Sequence, residues 1–173
     1  MSAEFRIQPA THADIEGMSA AEQRAGEVFR AIGYDFCADC QNREVEEHKR
    51  VIAAGITLVV KSTSGEVAGF AMFEPLDGDV HLVEIDVVPE HQNKGLARRL
   101  IAAGADWGRS KVFDAMTLTT YRDVPWNAPF YRRLGFEDFA PGSDRTGLLE
   151  VIEKEAAWGF AFKPRIAMRK VLL

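Results

Sequence analysis

The sequence predicts a single α/β domain over residues 1–173, with a mixed, mainly antiparallel sheet and helices on both of its faces. The 173 residues are 47% hydrophobic and 27% charged, which provides enough apolar material for one core. Residues 56–61 and 66–74 read as two strands joined by a turn-rich segment, which is typical of an antiparallel hairpin. A strand, helix, strand order, which indicates a parallel crossover, follows at residues 80–88, 95–107 and 116–121.

The N-terminal third is predicted to contain one short strand and two helices. Phe5-Arg6-Ile7 alternates apolar and polar residues and therefore predicts the strand. Residues 14–32 carry apolar side chains at helical spacing up to the helix breaker Gly33. Residues 42–54 have acidic side chains early, where a helix dipole favours them, and the pattern stops at Gly55.

The central strand predicted at residues 80–88 is rich in Val, Leu and Ile, as a buried strand of a sheet is, and Pro89 ends it. The helix at residues 95–107 keeps its apolar residues along one stripe. Beyond the β-branched strand at residues 116–121, the pattern predicts a short helix, a short strand, a helix and a last strand, at residues 127–134, 136–139, 148–157 and 166–172.

Charge and cysteine content exclude several classes of protein. The net charge of −5, from 21 basic and 26 acidic residues, argues against a nucleic-acid binder. The apolar runs are far too short for a membrane span. Cys37 and Cys40 are the only cysteines, which excludes a disulfide framework and fits a reducing cytoplasm. Their spacing resembles half of a zinc or redox motif, but a closed zinc site needs four ligands, so we expect no metal.

The most informative segment is the exit from the central strand into the next helix, at residues 87–100. A helix N-terminus offers backbone N–H groups without internal partners and the positive end of the helix dipole, so amides here can wrap a pyrophosphate. Gly95 permits a close approach because it has no Cβ. Lys94, Arg98 and Arg99 add positive charge. The alternative interpretation is an ordinary strand-to-helix connection with solvated basic residues.

Two motifs resemble the signatures of the GNAT superfamily of N-acetyltransferases. Gln92-x-x-Gly95-x-Ala97 matches the family's Q/R-x-x-G-x-G/A turn after a strand that ends in Val87-x-Pro89. The family's second signature is a helix that contains a tyrosine and ends in Leu-Gly-Phe. This chain has a similar segment, Pro129-Phe130-Tyr131-Arg132-Arg133-Leu134-Gly135-Phe136. The resemblance implies an acetyl-CoA cosubstrate between splayed parallel strands at residues 80–88 and 116–121. It assigns coenzyme contacts to Val87, Val88, Gln92, Asn93, Lys94, Gly95, Leu96, Ala97 and Arg98.

The same resemblance implies residues for proton transfer. Tyr131 occupies the position of the family's general acid, and a phenol with its ordinary pKa of about 10 keeps its proton at pH 7. A tyrosine in a Phe-Tyr pair is otherwise a core residue. His81 lies where some members carry a catalytic base, although a histidine at the start of a strand is as often structural. Glu84 is the competing base, because a carboxylate in a buried strand must be paired, raised in pKa or directed into a cleft. We interpret Asp86 as structural.

Asn127 departs from the family pattern. Many members have Asn at the start of N-x-x-A-x-x-x-Y, but counting back from Tyr131 puts Val124 there and Asn127 at the position of the small residue. Asn127 therefore either contacts the coenzyme or caps the short helix.

The resemblance implies transfer of an acetyl group to a primary amine of a small molecule or peptide, by direct attack in a ternary complex. A noncatalytic acyl-CoA sensor is the alternative. In the family, acceptor specificity is usually shaped by the region that here spans residues 18–54. Its acidic residues either attract an ammonium group or form a solvated surface. A homodimer is compatible with these predictions.

Overall fold

The computed structural model describes residues 5–40, 42–157 and 163–172. The strands are β1 (Arg6–Pro9), β2 (Ile56–Lys61), β3 (Val67–Leu76), β4 (Asp79–Val87), β5 (Ala115–Tyr121), β6 (Glu137–Phe139) and β7 (Arg165–Val171). The α-helices are α1 (Ile15–Gly26), α2 (Asp35–Ala38), α3 (Val45–Ala54), α4 (Leu96–Ser110), α5 (Ala128–Arg133) and α6 (Thr146–Ala157). Of these helices, none combines the length and the apolar character that crossing a bilayer requires.

The strands follow the order β1-β2-β3-β4-β5-β7-β6 in a mixed sheet. Strands β1, β2 and β3 pair antiparallel, and so do β5, β7 and β6. Strand β4 runs parallel to β5, with Val80 opposite Met116 and Leu82 opposite Leu118. The predicted mixed, mainly antiparallel sheet is therefore confirmed, and the predicted hairpin is the β2–β3 pair.

The chain divides into two compact units, one of residues 1–74 and 83–104 and the other of residues 75–82 and 105–173. The sequence alone predicted one domain, and that interpretation stays a prediction.

In the first unit, helices cover both faces of the strands. Met18 of α1 and Val51 of α3 are buried in one core with Phe70 of β3, which also includes Val59 of β2. The side chain of Phe73 points to the opposite face, since strand residues alternate. There α4 packs so closely that a Cβ built on Gly104 would overlap the Phe73 ring. The absence of a side chain at this glycine thus permits the approach of helix to sheet.

The predicted helix over residues 14–32 is corrected by the structure. Helix α1 ends at Gly26, and the chain continues as a 3₁₀-helix from Glu27 to Ile32. A glycine is a poor helix former, and the tighter 3₁₀ geometry is common where a helix ends. Gly33, with a φ of 74°, then reverses the chain, as its sequence position predicts. Helix α2 was not predicted, and α3 begins at Val45 rather than at residue 42.

In the second unit, two aspartates beside the start of β4 hold the C-terminal elements. Asp77 accepts hydrogen bonds from the backbone N–H groups of Gly147 and Leu148, at 3.0 and 2.8 Å. These bonds satisfy two N–H groups in the first turn of α6, which begins two residues earlier than predicted. Asp79 is only 2% exposed and pairs with both Arg145, at 2.8 Å, and Arg169, at 2.9 Å.

Candidate active site

The turn after β4 lies in the first unit and is held by backbone and side-chain hydrogen bonds. The N–H group of Val88 donates to the carbonyl of Ala68 at 3.0 Å. A single 3₁₀ turn follows at Pro89–His91. The side-chain amide of Gln92 then donates to the carbonyl oxygen of Val87 at 3.0 Å. Gln92 therefore closes the turn and fixes the direction in which the chain enters α4.

The backbone of the turn adopts the left-handed conformation twice before α4 begins. Asn93 has a φ of 60° and Gly95 a φ of 75°. A Cβ built on Gly95 would have no atom within 4 Å, so the positive φ, and not crowding, requires glycine at this position. The 15-residue helix α4 then presents the free N–H groups of its first turn beside this open space. This geometry suits an anion bound by backbone amides.

The basic side chains of the turn differ in their contacts. Lys94 is exposed, with its Nζ 3.0 Å from Nδ1 of His91 and 5.8 Å from the ring centre of Phe5. Arg99 donates to the carbonyl oxygen of Phe5 at 3.1 Å. Arg98 is exposed and forms no hydrogen bond or ion pair with any residue that the structure describes. Lys94 and Arg98 therefore supply cationic groups at the rim.

The predicted coenzyme residues of this segment thus have different environments. The side chains of Val87, Val88 and Leu96 are buried in the core, where they anchor the two ends of the turn. Those of Gln92 and Ala97 are partly buried. The exposed members, which present the turn to solvent, are Asn93, Lys94, Gly95 and Arg98.

Glu84, a predicted base, is ion-paired. Its Oε2 lies 3.1 Å from Nη2 of Arg43, and the same guanidinium nitrogen donates to the carbonyl oxygen of Val83 at 3.3 Å. Arg43 also lies 3.8 Å from a carboxylate oxygen of Glu47. Pairing is one of the alternatives predicted for a carboxylate in a buried strand, and it is the arrangement that the structure shows for Glu84.

Glu22 of α1 was not singled out by the sequence, yet it contacts the same arginine. Its carboxylate oxygens accept the backbone N–H of Arg43 at 3.2 and 3.3 Å. Burial and the nearby charge of Glu84 raise the pKa of Glu22 to about 7, against the opposing effect of Arg43. The contact joins residues 21 positions apart, and no local pattern in α1 indicates it.

Two further side chains near Glu22 contain buried polar atoms. The Oδ2 atom of Asp86 is buried and has no hydrogen-bond partner among the described residues. Burial, with the charges of Glu84 and Glu22, raises the pKa of Asp86 well above its ordinary value. His48 is completely buried, and neither ring nitrogen has a hydrogen-bond partner in the described part of the chain. Burial and the charge of Arg43 lower the pKa of His48, so its ring is neutral at pH 7.

His81, the other predicted base, belongs to the second unit. It is only 3% exposed, and its Nδ1 lies 3.0 Å from the hydroxyl oxygen of Thr117. Thr117 is its direct neighbour in the parallel pairing of β4 with β5. The ring is therefore held in one orientation inside the sheet.

Tyr131 lies in helix α5 of the second unit, within an aromatic cluster. Its ring makes edge contacts with Phe130 and Phe136, at centroid distances of 5.3 and 5.8 Å. Its backbone N–H donates to the carbonyl oxygen of Asn127 at 3.0 Å. Asn127 stands at the N-cap position of α5, but its side chain forms no capping hydrogen bond. The predicted capping role is therefore wrong for this side chain, and the coenzyme contact of Asn127 stays a prediction.

The Cys40 thiol does not have the lowered pKa of a reactive cysteine. Neither Cys37 nor Cys40 forms a disulfide. Burial and the charges of Glu22 and Asp39 raise the pKa of Cys40, whereas reactive thiols have a lowered pKa. In residues 5–40, 42–157 and 163–172 there is no group of three or more His, Cys, Asp or Glu side chains arranged to hold a metal ion.

Comparison with known proteins supports the family resemblance. A model of the acetyltransferase (GNAT) family matches residues 18–136, more than half of the chain. The L-amino acid N-acyltransferase MnaT of Escherichia coli strain K12 is 33% identical over 108 residues, which are 60% of this chain and 62% of that protein. The chain thus spans less than two thirds of this curated relative.

Solved structures share the fold at low sequence identity. An acetyltransferase of the GNAT family from Staphylococcus aureus Mu50 matches with a TM-score of 0.76 and 12% identity, over 98% of this chain and 100% of that one. The PaiA N-acetyltransferase from Thermoplasma acidophilum, solved in complex with coenzyme A, matches with a TM-score of 0.72 and 14% identity, over 97% and 99%. Because the family model matches more than half of its residues, the chain belongs to the acetyltransferase (GNAT) family.

Proposed function

We propose that this protein transfers the acetyl group of acetyl-CoA to a primary amine of a small molecule or peptide, by direct attack in a ternary complex. The observation that carries the proposal is the turn before α4. Its left-handed residues Asn93 and Gly95, the open space beside Gly95 and the exposed cations Lys94 and Arg98 together suit the diphosphate of a coenzyme. Family membership supports the same cosubstrate.

The reaction needs a neutral amine and a proton for the departing thiolate, and acetyl-CoA supplies the acetyl group as a thioester. An alkyl ammonium ordinarily has a pKa of about 10, so a base must remove a proton near pH 7. Tyr131 is the proposed proton donor, and its packing between Phe130 and Phe136 supports a fixed ring position. Glu84 and His81 are the proposed bases, and each would have to give up part of its pairing, with Arg43 or Thr117, to act.

Free amino acids are the acceptors to test first. The curated relative carries the name L-amino acid N-acyltransferase. The acidic side chains on the first two helices and the segment that joins them fit an ammonium group, which every amino acid carries at neutral pH. Peptides with a free N-terminus, polyamines and arylalkylamines complete the panel.

The first test measures acetyl-CoA binding by calorimetry. Gly95→Ala forces a side chain into a positive φ and misplaces the turn amides, so we expect the affinity for acetyl-CoA to fall about tenfold, equivalent to about 1.4 kcal/mol. Gly33→Ala is the matched control, because Gly33 has a φ of 74° and equally open surroundings. Gly33→Ala should lose about as much stability as Gly95→Ala but keep the wild-type affinity for acetyl-CoA. Equal affinity in both variants would contradict the proposed site.

The second test follows thiol release from acetyl-CoA with the twenty L-amino acids, an alanine-terminated peptide, spermidine and tyramine. Turnover with any of them supports the transferase. Coenzyme binding without turnover across the panel favours the noncatalytic acyl-CoA sensor. Undiminished turnover in a protein that combines Tyr131→Phe, His81→Ala and Glu84→Ala would show that none of the three residues transfers the protons.

A further inference from the structure

A cavity in the second unit is not used by any step of the proposed reaction. Its volume is about 250 Å³, and it is lined by residues of helix α6 and of the paired strands β5 and β7. Thr119 of β5 and Ala167 of β7, which are register partners in the sheet, both line it. The cavity therefore lies against the sheet, beside the helix that connects β6 to β7.

The size and the apolar part of the lining suit one small molecule. Ile152 of α6 and Ile166 and Ala167 of β7 contribute apolar side chains. Ala156 of α6 also lines the cavity and is exposed, so it lies at the opening to solvent. Sites for drug-sized ligands usually measure about 300 to 1,000 Å³. A volume of about 250 Å³ therefore fits a molecule of the size of one amino acid rather than a coenzyme.

The single carboxylate of the lining already has partners on both oxygens. Oε1 of Glu155 accepts the hydroxyl of Thr119 at 2.6 Å and a hydrogen bond from Nη2 of Arg165 at 3.0 Å. Oε2 of Glu155 accepts a hydrogen bond from Nε of Arg165 at 3.3 Å. Glu155 therefore fixes the position of Arg165 and does not require a cationic ligand.

The cationic side chains of the lining determine the charge of the ligand that it suits. The guanidinium of Arg165 lies over the ring of Tyr121, 4.5 Å from the ring centre, so a ring and an ion pair hold it in one place. Lys163 lines the same cavity. Two cations against one paired carboxylate give the lining more positive than negative charge. Such a site favours a carboxylate, which guanidinium and ammonium groups bind through charge-assisted hydrogen bonds.

We propose that this cavity binds a small monocarboxylate with a short apolar chain. The carboxylate pairs with Lys163 and Arg165, and the chain packs against Ile152, Ile166 and Ala167. This binding needs no acyl transfer, so the inference goes beyond the proposed function. Two sources share the chemistry: an apolar amino acid that serves as the acceptor, and a carboxylate without an amine that occupies the cavity without reacting.

The position of the cavity on β5 connects it with the proposed base His81. Thr119 and Thr117 lie on one face of the strand, because they are two residues apart, a separation of about 7 Å. Thr117 is the residue whose hydroxyl oxygen lies 3.0 Å from Nδ1 of His81. A ligand of the cavity therefore occupies the face of β5 that also carries the partner of the proposed base, which makes an amino-acid acceptor the first source to test.

A direct binding test needs no turnover. The protein is labelled with carbon-13 at the isoleucine δ1 methyls, and Ile152→Val and Ile166→Val identify the two resonances of the lining. The probes are isovalerate, isovaleramide and isopentylammonium, which share one branched apolar chain and differ in charge. We expect isovalerate to shift both resonances and to bind about tenfold more tightly than the amide, with the ammonium weakest. Unshifted resonances, or an amide or ammonium that binds as tightly as the carboxylate, would overturn the proposal.

Matched variants locate the binding. Lys163→Gln should lower the affinity for isovalerate about tenfold and leave that for isovaleramide unchanged, which shows that the cavity is intact. Lys154→Gln, at an exposed position of α6, should change neither affinity. Ala156→Leu fills the opening and should lower both affinities about tenfold, whereas Ala157→Leu, at the next exposed position, should not. Equal affinities within either pair of variants would contradict the site. Arg165 is left in place, because Glu155 would otherwise lose its ion pair.

The kinetic test distinguishes the two sources with L-leucine in the thiol-release assay. If L-leucine is the ligand, Ala156→Leu should raise its KM about tenfold with an unchanged kcat, and Ala157→Leu should not. Equal KM values in the two variants, with isovalerate still bound, identify a carboxylate that does not react. If the wild type acetylates no amine, the proposed function fails while the methyl titration still decides the cavity. If no probe shifts the two resonances, the inference fails and the transferase stands.

Discussion

The raised pKa of Glu22 predicts that Glu22→Gln stabilises the protein at alkaline pH. Below the ordinary pKa of 4.5, Glu22 is protonated in both the folded and the unfolded chain and contributes nothing. As the pH rises from 4.5 to about 7, the unfolded chain ionises while the folded protein keeps the proton. The unfolded state then binds fewer protons, so the free energy of unfolding falls. Above pH 7 Glu22 is ionised in both the folded and the unfolded chain, and the free energy of unfolding falls no further.

The size of this loss follows from the two pKa values. The pKa of Glu22 is raised from 4.5 to about 7, and each pKa unit corresponds to about 1.4 kcal/mol, so the ionised carboxylate costs about 3 kcal/mol above pH 7. A glutamine of the same shape carries no charge, and its carbonyl oxygen can still accept the N–H of Arg43. Relative to the wild type, the free energy of unfolding of Glu22→Gln should rise only slightly at pH 5 and by about 3 kcal/mol at pH 8.

Urea unfolding at both pH values measures this difference. Glu16→Gln, on the exposed face of the same helix, is the control and should show the same small effect at pH 5 and pH 8. The reasoning is refuted if Glu22→Gln is less stable than the wild type at both pH values, because the carboxylate would then stabilise the fold rather than strain it.

Two further predictions concern the second and first units. Tyr131→Phe keeps the aromatic packing with Phe136 but removes the phenol hydroxyl, so kcat should fall by about 100-fold in the thiol-release assay; an unchanged kcat would exclude Tyr131 as the proton donor. Gly104→Val places a side chain against the ring of Phe73 and should destabilise the protein by about 1 to 3 kcal/mol in urea unfolding. Ala102→Val, at an exposed position of the same helix, should cost less than about 1 kcal/mol, and equal losses would refute the close packing.

The parts of the fold that depend on local pattern were predictable from the sequence. Strand β2 has the predicted bounds, Ile56–Lys61, because its β-branched residues and the turn that follows signal both ends. The turn at Gly95 was recognisable from its resemblance to the family motif and from the close approach that glycine permits, whereas its positive φ was not predicted. Helix α1 was predicted too long, since the apolar spacing of residues 14–32 does not distinguish an α-helix from a 3₁₀ continuation.

The grouping of Glu22, Glu84 and Asp86 around Arg43 was beyond prediction from the sequence, because contacts between distant residues create it. Glu84 and Asp86 alternate with apolar residues in a strand, and that pattern signals that they need partners without naming them. Arg43 is 41 residues from Glu84, and Glu22 is 21 residues from Arg43. Asp86, interpreted as structural from the sequence, has a buried oxygen without a hydrogen-bond partner among the described residues. Only the folded chain shows which carboxyl groups affect one another.

Asp79 has a consequence for how this protein can change over time. One carboxylate, nearly inaccessible to water, forms ion pairs with two guanidinium groups, those of Arg145 and Arg169. Losing the aspartate alone would remove the ion pair of Arg169 and leave Arg145 with only the more distant Asp144, at 3.7 Å, whereas losing all three residues at once would leave no unmatched charge. Homologous chains should therefore vary at these three positions together, and a sequence without the aspartate should have replaced both arginines as well.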